Sequence, residues 1–398
     1  MISSCHQPEP AGDQAPRPGS FGYDLQFLSR YDSPYVLQSD GGKARIIVSA
    51  KYQGKVFTST ADGDSGRSFG WVNYKAFDGP PDPHMNGYGG ENRLWLGPEG
   101  SRFSLFFQPG SKMEFANWKT PAAFDTEAWV ITGHTDREVG LKKTMQLTNY
   151  AGTALQLSID RKISLYDRAG IDSTLHLPPD STVLAVGYHT VNTLTNTGDK
   201  AWTETTGMPC IWMLDMFRPG EATIIVVPYK DAGGKSGRMA VTADYFGVIG
   251  HDRLRLQASR LFFRADGKSR GKLGISPLYA ATTMGSYDPT AKTLTLIRYE
   301  VDSTARYLGQ RWNTTDAPFS GDAANAYNDG PLADGSQMGP FYELESVSPA
   351  AFLAPGASLA HAHSVYHFTG DITALDRLAR RLLGVSLDDI TTAFSSKP

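Results

Sequence analysis

Two carboxylates stand close together in residues 341–349, which read FYELESVSP. Alternate residues of a strand share a face, so Glu343 and Glu345 are predicted to point one way, and Tyr342 and Leu344 the other. Like charges on one strand face cost energy unless solvent, a cation or a catalytic role accounts for them. Both glutamates are therefore candidates for an acid, a base or a cation ligand. The alternative is one inward residue held by an arginine and one rim residue.

A second polar motif, GGENRLWLGPEG, covers residues 89–100. It places Glu91, Arg93 and Glu99 around Trp95. Arginine and glutamate side chains bond sugar hydroxyls, and an indole stacks on the apolar face of a sugar ring, so the motif indicates a carbohydrate site. The alternative is a structural turn in which Arg93 pairs with a neighbouring glutamate and Trp95 belongs to the core.

A third motif, GDAANAYNDG, brings Asp322, Asn325, Asn328 and Asp329 into residues 321–330. Loops rich in oxygen ligands bind hard cations such as calcium, or sugar hydroxyls. Calcium is therefore the one candidate ion. An ordinary turn would also explain Asn328–Gly330, and the spacing of an EF-hand is absent.

Three histidines, His361, His363 and His367, fall on one face of a predicted strand near the C-terminus. A His-x-His pair on a strand is a common metal geometry. A zinc site needs a third ligand and a supporting shell that the sequence does not show. The favoured interpretation is hydrogen-bonded strand histidines, and we assign no metal site.

The composition excludes several classes of function. The 398 residues contain 38 Lys and Arg against 41 Asp and Glu, a net charge of −3 that disfavours nucleic-acid binding. No apolar run is long enough for a membrane-spanning helix. Phosphate-loop, dinucleotide-binding and G-x-S-x-G motifs are missing.

Runs of β-branched and aromatic residues between turn residues recur along the whole chain, which indicates strands. The predicted strands are residues 44–50, 56–60, 104–107, 128–132, 141–147, 155–159, 183–192, 210–216, 222–228 and 294–300. One helix is predicted over Ile372–Leu383, capped by Asp371 or Thr373 and ended by Gly384, and a short one over Ser20–Ser29. The pattern predicts an all-β fold, a large antiparallel β-sandwich with a short C-terminal helix.

The N-terminal residues suggest an anchor. Ile2-Ser3-Ser4-Cys5 resembles the end of a bacterial lipoprotein signal, in which the cysteine is lipidated, and a Pro/Gly/Gln-rich tether follows. We predict a tether over residues 1–20 and one domain over residues 21–398. The alternative is a cytosolic tail with an incidental Cys5, since the basic and apolar regions of a signal peptide do not precede it.

These landmarks resemble the galactose-mutarotase-like superfamily, whose fold is a β-supersandwich. Residues 90–96 (GENRLWL) fall where aldose epimerases carry an Asn-Arg segment, and Leu344-Glu345 where they carry the catalytic base. The resemblance implies a sugar-binding role for Arg93 and a base role for Glu345. It places the general acid on a mid-chain histidine, for which His189 is the nearest candidate, although the spacing departs from the epimerase motif.

A closer resemblance, over residues 21–385, is to an uncharacterised family of bacterial secreted lipoproteins with that fold. Its specific segments are GGENRLWLGPEG, GSYD, YNDGP and FYELESVSPA. We therefore expect a carbohydrate partner and an envelope location, periplasmic or at the outer membrane, with membrane contact only through a lipid anchor.

Two hypotheses for the function remain. In the first, Glu345, Glu343 and His189 do acid/base chemistry of epimerase, lyase or hydrolase type, while Trp95 or Tyr342 stacks on the sugar and Arg93, Glu91, Asn328 and Asp329 bind it. In the second, the chain is a non-catalytic carbohydrate-binding or structural lipoprotein.

Overall fold

A computed structural model describes residues 16–230, 240–332 and 334–395 of the chain. Every strand pairing in it is antiparallel. The strands are β1 (Tyr35–Ser39), β2 (Ala44–Ser49), β3 (Lys55–Thr60), β4 (Arg93–Gly97), β5 (Val130–His134), β6 (Glu138–Thr148), β7 (Ala154–Leu165), β8 (Val183–Asn196), β9 (Cys210–Phe217), β10 (Ile224–Pro228), β11 (Val241–Thr242), β12 (Leu254–Leu256), β13 (Arg260–Arg264), β14 (Gly271–Ile275), β15 (Thr283–Asp288), β16 (Thr293–Tyr299), β17 (Ala324–Asn328), β18 (Tyr342–Val347) and β19 (Ser358–Gly370).

These strands form three sheets. The largest has ten strands in the order β12-β13-β10-β15-β16-β19-β8-β7-β6-β5, and the second has six in the order β11-β14-β17-β18-β9-β4. Strands β1, β2 and β3 make a separate three-stranded sheet. The central strands β9 and β18 are buried along their whole length, because both of their faces are covered.

The ten-stranded and six-stranded sheets pack face to face. Leu344 of β18 and Met213 of β9 share one core with Val365 of β19 and Val186 of β8. This apolar burial between the two layers is the main source of stability expected for a sandwich. The antiparallel sandwich predicted from the sequence is therefore confirmed.

Five helices are present in the described part of the chain: α1 (Phe21–Leu28), α2 (Lys75–Asp78), α3 (Arg168–Leu175), α4 (Ile372–Leu383) and α5 (Leu387–Thr391). Helices α3, α4 and α5 cover the outer face of the ten-stranded sheet, where Ile171, Leu375 and Ile390 pack on Leu296 and Phe368. None of the described helices has the length and apolarity needed to cross a bilayer.

Helix α4 begins and ends where the sequence predicts. The Asp371 carboxylate, rather than the Thr373 hydroxyl, accepts from the backbone N–H of Ala374 at 2.9 Å. Gly384 ends the helix with φ of +72°, a left-handed conformation that glycine adopts without strain. The predicted short helix is also confirmed as α1, with Ser20 as its N-cap.

One predicted strand is wrong, and three helices were missed. Residues 104–107 form bends and turns instead of a strand, although Phe106 and Phe107 are buried. Their apolar pattern reflects burial in an irregular segment, which periodicity alone does not distinguish from a strand. The prediction left out the one-turn helix α2, helix α3, which is capped by the Asp167 side chain, and helix α5. Cys5 and most of the tether lie outside the described residues.

Candidate active site

Alternation along β18 divides its side chains between two environments. Tyr342 and Ser346 face the ten-stranded sheet: the Tyr342 hydroxyl lies 2.7 Å from Ser286 Oγ of β15, and Ser346 Oγ lies 2.8 Å from His363 Nδ1 of β19. Glu343 and Glu345 therefore project from the opposite face of the six-stranded sheet, as the strand period predicts.

The strand register brings distant parts of the chain to this face. Leu214 in β9 lies opposite Arg93 of β4 on one side and Glu345 of β18 on the other, and Glu345 in turn lies opposite Asn325 of β17. We call the group formed by Arg93, Lys272, Asn325, Glu343 and Glu345 the charged face.

Two ion pairs dominate the charged face. Arg93 Nη2 donates to Glu343 Oε1 at 2.5 Å, and Lys272 Nζ donates to Glu345 Oε2 at 2.9 Å. The Trp212 indole N–H also donates to Glu345 Oε2, at 2.8 Å. All five side chains are buried, and Glu345 is 0% exposed. Burial of charged groups is tolerated here because each one has an opposite charge within contact distance.

Tryptophan rings support the two cations. The Arg93 guanidinium lies 5.0 Å from the centre of the Trp95 ring, and the Lys272 ammonium lies 4.6 Å from that of Trp212. Trp95 and Trp212 meet edge to face at 5.8 Å. The charged face is therefore bordered by aromatic surface on the side of β4 and β9.

Three buried polar atoms of the charged face have no hydrogen-bond partner among the described residues. They are the acceptors Glu345 Oε1 and Asn325 Oδ1 and the donor Arg93 Nε. Glu345 and Asn325 are directly cross-strand, so their Cβ atoms lie about 5 Å apart. Buried polar atoms in native proteins are usually paired, so these three are the ones that a bound molecule would satisfy.

Burial shifts the pKa of several groups at the site. It raises the pKa of Glu343 to about 7, with the charge of Arg93 opposing the rise and that of Glu345 adding to it. It lowers the pKa of Lys55 to about 7, helped by the nearby Arg93 charge. Burial also raises the pKa of Glu99, which lies close enough to Lys272 for that charge to oppose the rise.

A pair of glycines explains how the GGENR motif approaches this site. Gly89 and Gly90 have φ of +84° and +132°, conformations that other residues rarely adopt. A Cβ atom on Gly89 would lie 2.2 Å from the Trp71 carbonyl oxygen, and one on Gly90 would lie 2.7 Å from Lys55 Cδ. The glycines let the chain pass close to Trp71 and Lys55 before β4 begins at Arg93.

Four of the predicted site residues come together, since Arg93, Trp95, Glu343 and Glu345 all lie on one face of the six-stranded sheet. Their functional roles remain predictions. Asn325, from the third motif, lies beside them.

Three other predicted site residues lie elsewhere. Glu91 precedes β4 and points between the sheets, where its carboxylate accepts from Ser59 Oγ at 2.7 Å. Tyr342 points the same way, so it is not placed to stack on a ligand of the charged face. His189 is an odd-numbered residue of β8, whose even-numbered Asn192 faces the six-stranded sheet. Its imidazole therefore lies on the outer, helix-covered face, bonded to Ser364 Oγ at 2.8 Å.

Asn328 and Asp329 hold a turn in place. The Asn328 amide accepts from Gly267 N at 2.9 Å and donates to the Ser269 carbonyl at 2.8 Å. Asp329 accepts from the Tyr327 hydroxyl at 2.6 Å. Asp322 accepts from the Tyr245 hydroxyl, at 2.7 Å. Binding of calcium by this motif stays a prediction.

The C-terminal histidines belong to a second polar group, between the two large sheets. We call this group the inter-sheet layer: Glu91, Asp215, Ser346, His361, His363 and His367. Ser346 Oγ lies 2.8 Å from both His361 Nε2 and His363 Nδ1, and His363 Nε2 lies 2.6 Å from Asp215 Oδ2. In the described ranges, no three or more His, Cys, Asp or Glu side chains are grouped to hold a metal ion.

Sequence reasoning missed Lys272 and Trp212, which complete the charged face. Lys272 is the single cation in the buried strand β14, GKLGI, and Trp212 lies in the fully buried β9. A lone lysine in an otherwise apolar strand is a usable signal, because a buried ammonium needs an anion nearby.

Comparison with known protein families identifies the family of this chain. Residues 19–394 match a family described as a family of unknown function (DUF6786). The chain belongs to this family. No curated protein matches the DUF6786 protein in sequence.

Solved structures similar to this DUF6786 protein include galactose mutarotase-like proteins. An Escherichia coli K12 protein described as a "Putative aldose 1-epimerase" is 12% identical, with a TM-score of 0.49, 84% of this chain and 98% of that chain covered. A galactose mutarotase-like protein from Lactobacillus casei is 12% identical, with a TM-score of 0.46 and coverages of 84% and 100%. A Synechocystis protein is 13% identical, with a TM-score of 0.48 and coverages of 85% and 96%. We draw no conclusion about activity from similarities of this degree.

Proposed function

We propose that this DUF6786 protein binds a carbohydrate at the charged face. The observation that supports this best is the set of three unpartnered buried atoms, two acceptors on Glu345 and Asn325 and one donor on Arg93. A sugar hydroxyl both donates and accepts, so neighbouring hydroxyls of one ring can satisfy all three atoms. Leaving these atoms unpaired costs about 1–3 kcal/mol each, which gives a matching ligand its advantage.

The charges of the site favour a neutral sugar. Glu343 is neutralised by Arg93, and Glu345 by Lys272, so the charged face has no excess cation for a phosphate or a carboxylate. An anionic ligand would also meet the free Glu345 Oε1. The aromatic border of Trp95 and Trp212 supplies the apolar surface that a sugar ring contacts.

The test compares two asparagines of the same strand. Asn325→Ala removes one unpartnered acceptor, and Asn328→Ala removes a side chain that holds the turn on the opposite face. Glycan-array screening identifies a bound carbohydrate, and isothermal titration then measures its affinity. We expect Asn325→Ala to weaken binding about tenfold, equal to 1.4 kcal/mol, with little loss of stability. Asn328→Ala should lower stability and leave affinity unchanged. Equal effects of both variants on affinity would reject the site.

A second candidate function, acid/base catalysis on the bound sugar, is favoured by Glu343. Burial raises the pKa of its carboxyl to about 7, a value suited to proton transfer near neutral pH. Glu345, two residues along the same strand face, is the other predicted catalytic group. The sugar found by the array would be followed by NMR for anomeric exchange or bond cleavage. We expect any turnover to depend on a group titrating near pH 7, and Glu343→Gln to remove that dependence while sugar binding persists. A pH profile unchanged in Glu343→Gln would rule out this role.

An envelope location also remains a proposal, because Cys5 lies outside the described residues. With the upstream genomic sequence included, the protein is expected in the membrane fraction, since two or more acyl chains anchor a protein firmly. Cys5→Ala should release it. An upstream region without an apolar signal segment would contradict the proposal.

A further inference from the structure

A row of stacked aromatic rings leads from the charged face to the surface. Trp95, which borders the charged face, lies 6.5 Å from Trp118. Trp118 stacks on Phe115 at 6.2 Å and 17° between ring planes, and Phe115 stacks on His84 at 4.7 Å and 19°. Trp312 stacks on the same Trp118 at 6.1 Å and 21°. We call these five residues the aromatic array.

The outer end of the array is open to solvent. Phe115 is 63% exposed, whereas Trp118 is 7% exposed and Trp95 is 5% exposed. Exposing most of a phenylalanine ring costs hydrophobic stabilisation that the fold could have kept by turning the ring inward. An exposed ring stacked over buried ones is instead a ready contact surface for a molecule with an apolar face.

A hydrogen bond also connects the array to Glu99, a carboxyl near the charged face. The Trp312 side chain bonds the Glu99 carboxyl, and Glu99 lies near enough to Lys272 and Glu345 for both charges to act on it. Trp312 is therefore bonded to a carboxyl on which the Lys272 and Glu345 charges act.

Two polar atoms along the array are buried and unpartnered in the described parts of the chain, the Trp118 indole N–H and Thr120 Oγ1. Trp118 and Thr120 are both more than nine-tenths buried. A purely structural aromatic stack would not require an unpaired N–H on Trp118 and an unpaired hydroxyl on Thr120. Ring hydroxyls of a sugar supply an acceptor for the first and a partner for the second.

The loops that carry the array are already fixed. His84 Nδ1 lies 2.6 Å from the Trp118 carbonyl oxygen, the Thr120 N–H donates to the His84 carbonyl at 2.8 Å, and the Asn86 side chain donates to Asp125 at 2.9 Å. Preorganised contact groups lower the entropic cost of binding.

From this geometry we infer that the ligand is an oligosaccharide, with one sugar unit on the charged face and the next units against Trp312 and Phe115, the more accessible rings of the array. The inference rests on the proposed function, because the charged face holds the first unit. It adds the substrate class: a chain of sugars rather than a free monosaccharide.

The test uses oligosaccharides of one to six units prepared from the polysaccharide that binds best on a glycan array. Their affinities are measured for the parent protein, for Phe115→Ala and for Phe352→Ala. Phe352 is 39% exposed and contacts Arg306 and Phe319 outside the array, so Phe352→Ala is the matched control. Phe115 is mostly exposed, so its replacement is expected to leave the fold intact.

We expect the parent to bind longer chains more tightly than the single sugar. Phe115→Ala should weaken binding of the longer chains about tenfold and leave the single sugar unaffected, in line with the loss of one aromatic contact residue. Phe352→Ala should change neither. Equal affinity for one unit and for six, or a Phe115→Ala effect that is absent or independent of chain length, would overturn the inference.

The design separates this inference from the proposed function. If Asn325→Ala weakens binding of every sugar but Phe115→Ala weakens none, the charged face stands as the site and the aromatic array is excluded. If Phe115→Ala weakens binding of the longer chains and Asn325→Ala has no effect, the charged face fails as the site. If the protein binds no carbohydrate in the glycan screen, both the proposed function and this inference are rejected.

Discussion

Two buried polar regions, the charged face and the inter-sheet layer, lie on opposite sides of the six-stranded sheet. In the inter-sheet layer the carboxylates of Asp215 and Glu91 pair with His363 and His367. On the charged face, carboxylates pair with Arg93 and Lys272. On one side of the sheet, carboxylates are therefore buried beside histidines, which can lose their charge. On the other side, they are buried beside an arginine and a lysine.

Both regions are buried, and they differ in whether the partner of each carboxylate can lose its charge. A carboxylate and an imidazole can share one proton and become a neutral pair, which is cheaper to bury between two sheets. An arginine cannot release its proton under physiological conditions, so the Arg93–Glu343 pair keeps the charge of Arg93 whichever form the Glu343 carboxyl takes. A region whose cations keep their charge is suited to a polar ligand, whereas one with carboxylate–imidazole pairs is suited to holding the two sheets together.

The largest expected effect is on stability, from Asp215→Ala. This change leaves His363 Nε2 and the Asn92 amide, which donates to Asp215 at 2.6 Å, without their partner. We expect a loss of about 4–5 kcal/mol in urea unfolding, as for other broken buried pairs. The control is Asp160→Ala, which breaks the exposed pair with Lys142 and should cost less than about 1 kcal/mol. A loss for Asp215→Ala no greater than the control would show that the inter-sheet layer does not hold the sheets together.

A smaller effect is expected on the charged face, where stability and binding can be separated. Glu345→Gln alone strands the Lys272 ammonium, so it should cost about 3 kcal/mol of stability. The double variant Glu345→Gln/Lys272→Met removes both charges and should regain most of that loss in the same unfolding measurement. Sugar binding should be lost in both variants. Full binding in the double variant would mean that the ion pair is structural only.

The third prediction concerns how the ionisation of Glu343 makes stability depend on pH. Its pKa is raised to about 7 from the ordinary value of 4.5, so the folded state holds a proton that the unfolded state has released between these values. The stability contributed by Glu343 is therefore complete below pH 4.5 and is lost as the pH rises through 7. In Glu343→Gln, the free energy of unfolding should fall less steeply between pH 4.5 and 7. The change in slope should correspond to the loss of at most one proton bound by the folded state. An identical slope in both proteins would contradict the raised pKa.

The smallest expected effect is the loss of stability on removing an exposed polar contact, the N-cap of α4. Asp371→Ala removes the N-cap of α4 and should cost about 1 kcal/mol, because Asp371 accepts from the Ala374 N–H. Thr373→Ala, two residues later and without a cap bond, should cost less than about 0.5 kcal/mol. Thermal unfolding of the two variants measures the difference. Equal losses of stability in Thr373→Ala and Asp371→Ala would contradict the assignment of Asp371 as the N-cap.

Strand period and turn residues were enough to predict the sandwich and the shared face of Glu343 and Glu345. They were not enough for His189, since period fixes which residues share a face but not which face is covered by a second sheet. The prediction also failed for Glu91: two positions before Arg93, it precedes the strand, so strand alternation does not govern its direction. Lys272 lies 73 residues from Glu345, and only the register of three strands, β14, β17 and β18, brings them together.

The Ser346 hydroxyl has one hydrogen atom and two imidazole neighbours, so it can donate to only one of them. This fixes the direction of hydrogen-bond donation in the inter-sheet layer. With Asp215 ionised, His363 must donate through Nε2–H, and in its neutral form its Nδ1 is then an acceptor. Ser346 gives its hydrogen to that Nδ1 and accepts in turn from His361 Nε2–H. One carboxylate therefore sets the tautomers of two histidines, and the chain of donors runs one way, from β19 through β18 back to β19 and then to β9.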